Sequence, residues 1–545
     1  MKTDSRQYVS REAGRCCAAG KATELLLHAK TILPRIVKCS SLFFAVSMLV
    51  GMAFAQTDPG VRSSTGVNAG TPLPDLAATA GAPEFFANGQ TRFEQVEVVS
   101  GGTNNGLGPR FNLNQCSACH SQPAVGGSSP NANQYPFIGA NPESQVIKDG
   151  IVTNSNTIPS FITAAGPVRE ARFPFVISNG AVTTTPDGGV HDLFTVTGRS
   201  DAGNCSISQP NFTQAENLND IIFRIPTPVF GAGFIENIGE DTLIKNHNAI
   251  VGNNFGVSGT FNYNGNDGTI SRFGWKAQNK STLLFAGEAY NVEMGITNEL
   301  FQNERPNPDE EQNFTGLPGD CLNLAGSGYP EDTTNFKATS GSNQFATNAS
   351  IPSDIVMFAM FMRFLDQPAA QPNGYSTATT TVTAASISRG QTAFGSVGCA
   401  TCHTPSLNTD PSSFNEDLNK KTANLYSDLE IHRMGALADN VSQGTAGGDQ
   451  FRTAPLWGVG QRIFFLHDGR ASDLLTAIQD HCPSSVNSIP NQGTGSGSGS
   501  GAGSGSGAAS EACTAVTNFE ALAQTTASGS TVASQQDVLN FLRSL

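Results

Sequence analysis

Two copies of the pattern C-x-x-C-H constrain this chain more than any other feature of its sequence. They read CSACH at 116–120 and CATCH at 399–403. Two thiols three residues apart on one helical turn can reach both vinyl groups of a porphyrin, and the adjoining histidine then lies beneath the iron. The patterns therefore predict two covalently attached haem c groups. A redox-active dithiol or half of a zinc site is the alternative for a single motif, and two complete copies disfavour it.

The residues that would hold the haems follow directly from the two motifs. The predicted attachment residues and proximal iron ligands are Cys116, Cys119 and His120 for the first haem, and Cys399, Cys402 and His403 for the second.

The first 55 residues have the features of an export signal peptide. Arg35 and Lys38 precede an apolar run over 41–55, which ends in an A-x-A cleavage pattern at 53–55. The run is shorter than the roughly 20 apolar residues that a membrane span requires. An uncleaved anchor is the alternative interpretation. We expect a periplasmic or secreted protein without a stable membrane span.

The charge of the exported chain indicates which partners are compatible with its surface. A mature protein starting at Gln56 would have 23 basic and 42 acidic residues, for a formal charge near -19. An acidic surface disfavours nucleic acid as a partner and favours basic proteins or cations.

Four cysteines remain outside the leader and the two motifs. An even number in an exported chain predicts two disulfide bonds. Four cysteines allow three pairings, among which the sequence does not choose. Our working hypothesis places one bond in each half of the chain, as Cys205–Cys321 and Cys482–Cys513.

Glycine and proline are abundant, with 58 and 29 residues, and indicate much ordered loop. We expect a mainly α fold, with two cytochrome c-like haem domains, long irregular loops and minor β structure. Helices are predicted at 353–366, with Ser353 as N-cap, and at 386–397, 472–481 and 535–544.

The chain is predicted to divide into four parts after the leader. They are an extended lead-in at 56–84, an N-terminal haem domain at 85–366, a linker at 367–384, and a C-terminal haem domain at 385–545 with a Gly/Ser insertion at 491–509.

A second axial ligand decides whether a haem iron transfers electrons only or also meets a small molecule. His481 is the best-placed histidine outside the motifs, at the end of the predicted helix that Ser472 would cap. Leu474, Ile478 and His481 are spaced i, i+4 and i+7, so they share one face. The alternative is a histidine bonded to backbone at the surface or in the core.

Residues 451–470, FRTAPLWGVGQRIFFLHDGR, resemble the signature of the bacterial dihaem cytochrome c peroxidase superfamily. They look closest to its di-haem oxidoreductase branch, often labelled peroxidase or thiol oxidoreductase. The resemblance extends over roughly residues 90–545 apart from the Gly/Ser insertion. Other matching segments are FNLNQCSACHSQP, GGVHDLFTVTGR, FRIPTPVFGAGFIENI, RFGWKAQ, VEMGITN and YSDLEIHRMGALAD.

The resemblance implies different roles for the two haems. The first would be peroxidatic, and the second would be a six-coordinate electron-transfer centre. In the peroxidases the distal ligand of the second haem follows the HDG histidine by fourteen residues, and here that step leads from His467 to His481. His403 and His481 would then both bind the second iron, and the haem would have a lower potential than a His/Met haem. The tyrosine ligand of the related enzyme that builds tryptophylquinone is absent, which argues against that activity.

Glu293, in the E-M-G element, corresponds to the family's distal acid at the peroxidatic haem. A carboxyl group above an open iron can move a proton between the peroxide oxygens as a general acid and base. A surface glutamate at a turn is the alternative. Peroxidases usually have a glutamine and a proline shortly before this acid, where this chain has Leu283, Phe285 and Gly287.

The sixth position of the first haem is expected to be open or weakly ligated, since no histidine closely follows CSACH. His191 and Met294 are the alternative ligands there.

Three further site residues follow from the resemblance. Trp275, in RFGWKAQ, matches the tryptophan that relays electrons between the haems, and a plain core tryptophan is the alternative. Thr453 and Pro455 match residues whose backbone carbonyls help to bind Ca²⁺, an ion that prefers oxygen ligands. His432 would lie near the second haem or simply be packed.

The resemblance implies a dihaem oxidoreductase. Electrons from a small donor protein, of cytochrome or cupredoxin type, would pass through the C-terminal haem to the N-terminal haem, which would reduce a small oxidant such as hydrogen peroxide. A non-enzymatic electron-transfer protein with two six-coordinate haems is the alternative. An oxidoreductase acting on an organic or thiol substrate is a third hypothesis, but structural disulfides explain the extra cysteines better. The chain has no P-loop, dinucleotide fingerprint or hydrolase elbow.

Overall fold

Helices and short β-ribbons alternate along the chain, and the computed structural model describes most of it from residue 55 onward. The described residues are 55–63, 69–97, 107–108, 110–131, 146–148, 151–153, 159–163, 165–195, 208–303, 305, 353–412, 415–483 and 509–545. Residues 1–54 of the predicted export signal (1–55), Cys205, Cys321 and the predicted Gly/Ser insertion up to 508 lie outside these residues. The described residues all belong to one unit, residues 53–545.

Eleven α-helices lie within the described part of the chain. They are α1 (Ala82–Phe93), α2 (Cys116–Cys119), α3 (Phe212–Asn217), α4 (Ala232–Asn237), α5 (Glu240–Ile250), α6 (Thr282–Met294), α7 (Asp354–Phe364), α8 (Ala384–Val397), α9 (Leu474–Asp480), α10 (Cys513–Glu520) and α11 (Gln535–Ser544).

The strands pair only as two-stranded antiparallel ribbons among the described residues. The ribbons are β1 (Arg110–Phe111) with β7 (Phe194–Thr195), β2 (Val146–Lys148) with β3 (Ile151–Thr153), β4 (Glu170–Arg172) with β8 (Ile222–Arg224), β5 (Phe175–Ser178) with β6 (Ala181–Pro186), β9 (Asn262–Tyr263) with β10 (Ile270–Ser271), β11 (Gly374–Ser376) with β12 (Thr381–Thr383), β13 (Leu407–Asn408) with β14 (Thr422–Ala423), and β15 (Ile431–Arg433) with β16 (Gln450–Arg452). Helix accounts for 32% and strand for 16%, so the expectation of a mainly α chain is confirmed only in part.

Two large hydrophobic cores organise the described residues. In the first, Phe93 of α1 packs against Phe358 and Phe361 of α7. In the second, α8 lies so close to α11 that a Cβ on Gly390 would be 1.9 Å from the carbonyl oxygen of Asp537. Each fully buried phenylalanine in these cores contributes roughly 1.5–3 kcal/mol through apolar burial.

Most predicted helices are present close to their expected bounds. Helix α7 begins after Ser353 as predicted, and α11 spans the predicted 535–544. Helix α9 is shorter than predicted, and Ser472 as its cap is wrong. Asp473 caps it instead, because its Oδ1 accepts from the backbone N–H of Thr476 at 2.8 Å. His481 directly follows the last turn.

The predicted lead-in and linker both contact the C-terminal half. Asp58 forms a 2.7 Å ion pair with Arg543, and Arg62 donates to the carbonyl of Leu545 at 2.8 Å. The ribbon β11–β12 lies within 367–384 and buries Tyr375 and Val382 in the second core. The boundaries proposed between the two haem domains stay predictions. No helix of the described residues is long and apolar enough to cross a membrane.

The predicted disulfide between Cys482 and Cys513 is confirmed, and it joins the end of α9 to the start of α10. It closes a loop with a sequence separation of 31. Replacing both cysteines with serine should lower the free energy of unfolding by about 2–4 kcal/mol, because the unfolded chain gains conformational freedom. Chemical denaturation followed by circular dichroism would measure this. Wild-type protein under reductant is the control and should show the same loss, whereas an unchanged midpoint in both would contradict the prediction.

Candidate functional site

Two cavities of nearly equal size lie in the molecule, and each is lined by one C-x-x-C-H motif. The first has a volume of about 1330 Å³, which includes space open to solvent, beside Cys116, Cys119 and His120. The second has a volume of about 1370 Å³ on the same basis, beside the residues of 399–403. All four motif cysteines are unpaired. The motifs therefore border two separate spaces, one for each predicted haem.

Each motif histidine is oriented by a backbone carbonyl. The Nδ1 atom of His120 lies 3.0 Å from the oxygen of Gly127, and that of His403 lies 3.0 Å from the oxygen of Tyr426. Nδ1 therefore carries the proton and donates, which leaves Nε2 as the metal-binding atom. Burial lowers the pKa of both imidazoles to about 4, so both are neutral at neutral pH, as a ligand to iron must be.

The second cavity contains His481 as well as His403. The Nδ1 atom of His481 lies 2.6 Å from the carbonyl oxygen of Ala477, so this imidazole also keeps Nε2 for a metal. The two histidines are close enough that His481, after burial, contributes to lowering the pKa of His403. The other lining is largely apolar and includes Phe394, Val459, Phe465, Leu474, Val516 and Leu542.

Three buried nitrogen atoms in the lining of the second cavity have no hydrogen-bond partner. They are Nη1 of Arg452, Nε of Arg462 and Nε2 of His467. Burial lowers the pKa of each arginine to about 10, and neither forms an ion pair with a described carboxylate. Unpartnered cations beside two imidazoles, two thiols and apolar walls fit a haem, which carries two carboxylates on an apolar ring.

The first cavity has a different set of polar groups, with His120 as its single described histidine. His191 is not among the lining residues. Its Nε2 lies 2.7 Å from Oδ1 of Asp187, and its ring stacks on Phe173 at 3.6 Å between centroids. The sulfur of Met294 lies 4.0 Å from Sγ of Cys116.

Glu293 lines the first cavity, and its carboxyl group is hydrogen-bonded on both sides. Asn112 donates to its Oε2 at 2.7 Å, and the side chain of Glu170 is its other partner. Burial, and next the negative charge of Glu170, raise the pKa of Glu293 well above its ordinary value. Of the two carboxyl groups, Glu293 is therefore the one whose protonated form is favoured, and it donates the hydrogen bond to Glu170.

Glu170 and Arg172, both on β4, were missed by the sequence analysis. Burial is the largest single effect and acts to raise the pKa of Glu170, but the Arg172 guanidinium, the hydrogen bond with Glu293 and the charge of Arg224 together lower it. Arg172 donates from Nε to Oε1 of Glu170 at 2.7 Å. No motif marks this pair, because the carboxyl group of Glu170 meets that of Glu293 only in the folded chain.

Trp275 is the one residue that lines both cavities among the side chains described for them. Its Nε1 donates to the carbonyl of Ile225 at 2.7 Å, and its ring meets that of His467 edge-on at 6.4 Å between centroids. The position between the cavities is the one that the predicted electron relay requires.

The carbonyl oxygen of Thr453 accepts a 2.6 Å hydrogen bond from Ser427, and Pro455 does not line the second cavity. Calcium binding by these carbonyls stays a prediction.

His432 lines the second cavity, with its imidazole between Asp428 at 2.9 Å and Glu511 at 3.0 Å. Burial opposes its protonation, but Asp428 raises the pKa of His432 well above its ordinary value.

The three side chains Cys402, Asp428 and His432 are close enough to hold a metal ion. Because Cys402 belongs to the second C-x-x-C-H motif, its sulfur is predicted to attach haem rather than to bind a separate metal.

A family model described as di-haem oxidoreductase, putative peroxidase, matches residues 175–491, more than half of the chain. The chain belongs to this family. The matched range contains Glu293, Trp275, His403 and His481, and it begins after the first C-x-x-C-H motif at 116–120. No curated protein and no solved structure matches the chain.

Proposed function

We propose that this di-haem oxidoreductase is an exported enzyme that reduces hydrogen peroxide with electrons from a small donor protein. The difference between the two cavities carries the proposal. The second is lined by two imidazoles, of His403 and His481, whose Nδ1 atoms bond to backbone carbonyls, and the first is lined by one such imidazole together with the Glu293 carboxyl group.

The second cavity is proposed as the entry for electrons. Bound haem would supply a one-electron store in the second cavity and an exchangeable iron position in the first. His403 and His481 would bind the iron of that haem through Nε2, and the carbonyls of Tyr426 and Ala477 orient their rings. Trp275 lies between the two cavities and is the proposed relay.

The first cavity is proposed as the place where peroxide is reduced. The overall reaction consumes two electrons and two protons for each peroxide and yields two waters. Glu293 is the proton-bearing partner in its hydrogen bond with Glu170, and Asn112 donates to its Oε2. It can therefore protonate the leaving peroxide oxygen and recover a proton from water. Arg172 keeps Glu170 ionised, so that the pair shares one proton.

Export, covalent haem and the donor partner belong to the same proposal. The leader over 1–55 and the Cys482–Cys513 bond support an oxidising compartment. The acidic chain supports a donor with a basic contact surface.

Electron paramagnetic resonance of the oxidised protein, combined with steady-state peroxide reduction by a reduced small cytochrome, tests the proposal. We expect a high-spin signal beside a low-spin one, and turnover of peroxide. Two low-spin signals in every redox state and no turnover would instead identify a non-enzymatic electron-transfer protein.

Covalent attachment is tested by removing thiols from one motif at a time. The Cys116→Ala/Cys119→Ala double variant should lose one haem mass and keep the second, because the cavities are separate. Cys399→Ala/Cys402→Ala should do the reverse. Intact-protein mass spectrometry of the exported chain measures both. The Cys482→Ser/Cys513→Ser variant is the control and should keep two haems. A wild-type mass without two haem additions would refute the prediction.

A further inference from the structure

Two arginines in the second cavity form no ion pair with a carboxylate among the described residues, although the more distant charge of Asp428 acts to raise the pKa of Arg452. Arg452 and Arg462 are each 6% exposed and line the space beside His403 and His481. Arginines are almost never this buried unless they are paired, because a desolvated cation costs several kcal/mol. No described carboxylate pairs with either one. Both therefore leave a buried donor for which the described residues supply no carboxylate acceptor.

Arg452 is held in place by backbone on one side only. Its Nε donates to the carbonyl of Gly274 at 2.9 Å, and its own backbone N–H donates to the carbonyl of Trp275 at 2.8 Å. Its Nη1 is buried and has no partner. The side chain is thus fixed, with a donor left over beside the cavity.

Arg462 is held in the same manner by different neighbours. Its Nη2 donates to Oγ of Ser128 at 3.4 Å, and its carbonyl accepts from Nη1 of Arg543 at 2.8 Å. Its Nε is buried and has no partner. Arg543 cannot neutralise it, since a second guanidinium lowers its pKa further after burial.

We propose that Arg452 and Arg462 bind the two propionate carboxylates of the haem held between His403 and His481. The number of arginines without an ion pair equals the number of carboxylates on one haem, and the rest of the lining is largely apolar. Arginine suits this task because its planar fork donates two parallel hydrogen bonds to a carboxylate. The inference rests on the proposed function in one respect, that the second cavity holds haem.

The pairing has a measurable electrostatic consequence. A carboxylate paired with a guanidinium stays ionised, whereas one left alone in an apolar cavity has a raised pKa and titrates. The reduction potential of the second haem should therefore be independent of pH in the wild-type protein. Without its arginine a carboxylate would protonate as the pH falls, and the potential would rise, because lost negative charge favours the reduced iron.

The test is the potential of the low-spin haem, measured by spectroelectrochemistry from about pH 5 to about pH 9. Arg452→Gln and Arg462→Gln should each lower the potential at neutral pH and make it depend on pH. Arg452→Lys and Arg462→Lys should restore most of the pH independence. Arg389→Gln is the matched control, since Arg389 pairs with Asp537 and does not line the cavity. It should leave the potential unchanged.

Glutamine variants with the wild-type potential and no pH dependence would overturn the inference. If those variants fail to fold, resonance Raman spectra of the wild-type protein decide instead. Propionate bending bands that stay constant with pH support the pairing, and bands that shift contradict it. If the second cavity held no haem, both this inference and the proposed function would be refuted. If the potentials behaved as expected but peroxide was not turned over, only the proposed function would be refuted.

Discussion

Replacing Glu293 with glutamine should lower the rate of peroxide reduction by about 100- to 10,000-fold, the range for a lost general acid. The side chain keeps its size and still accepts from Asn112, but it can no longer give a proton to a leaving oxygen. The two haems and the low-spin signal of the second centre should remain. Stopped-flow and steady-state assays with a reduced cytochrome donor measure the loss. Full turnover in Glu293→Gln would contradict the role of this carboxyl group.

Glu170→Gln is the matched control, because it removes the charge beside Glu293 and leaves the acid in place. Burial and the charge of Glu170 both raise the pKa of Glu293. Activity that needs the protonated acid is complete below that pKa and is lost as the pH rises through it. The variant lacks one of the two causes, so its alkaline loss of activity should begin at a lower pH than in the wild type. If the alkaline limb of the pH–activity profile were the same in Glu170→Gln as in the wild type, Glu170 would not influence the proton of Glu293.

Local patterns placed four of the eleven described helices and none of the ribbons. Helix α11 starts after Ser534, whose side chain caps it, whereas α7 follows Ser353 without a side-chain capping bond and is marked by its apolar run. Neighbouring Ser472 and Asp473 are equivalent as caps in the sequence, and their hydrogen bonds alone decide between them. Strands of two or three residues, such as β1 and β7, lack room for a period-two pattern.

The site was predictable where one segment contributes a whole group of residues. The two C-x-x-C-H motifs border the cavities, and the spacing that groups Leu474, Ile478 and His481 also holds, since all three line the second cavity. Glu170 and the two unpaired arginines were not predictable. A charged residue in the sequence carries no sign of which distant group it will face, and the shared proton of Glu170 and Glu293 depends on elements far apart in the chain.

His481→Ala should convert the second centre from low-spin to high-spin, because His403 would remain as the only described imidazole held for that iron. The Nδ1 bond to Ala477 shows that His481 is oriented, and His403 faces the same space. His481→Met should keep a low-spin centre but raise its reduction potential, since a thioether favours the reduced iron. Electron paramagnetic resonance and spectroelectrochemistry measure the two changes, and electron supply to the first cavity should fall in both variants.

His467→Gln is the sharpest control for this assignment, because His467 lines the same cavity and has a buried, unpartnered Nε2. Its ring stacks on Phe451 at 4.4 Å between centroids and meets the ring of Trp275. Its Nδ1 forms no hydrogen bond to a backbone carbonyl of the described residues. A ligand histidine normally has that second bond, as His120, His403 and His481 do. The low-spin signal should therefore survive in His467→Gln. If the low-spin signal were lost in His467→Gln and retained in His481→Ala, the sixth ligand of the second haem would be His467 and not His481.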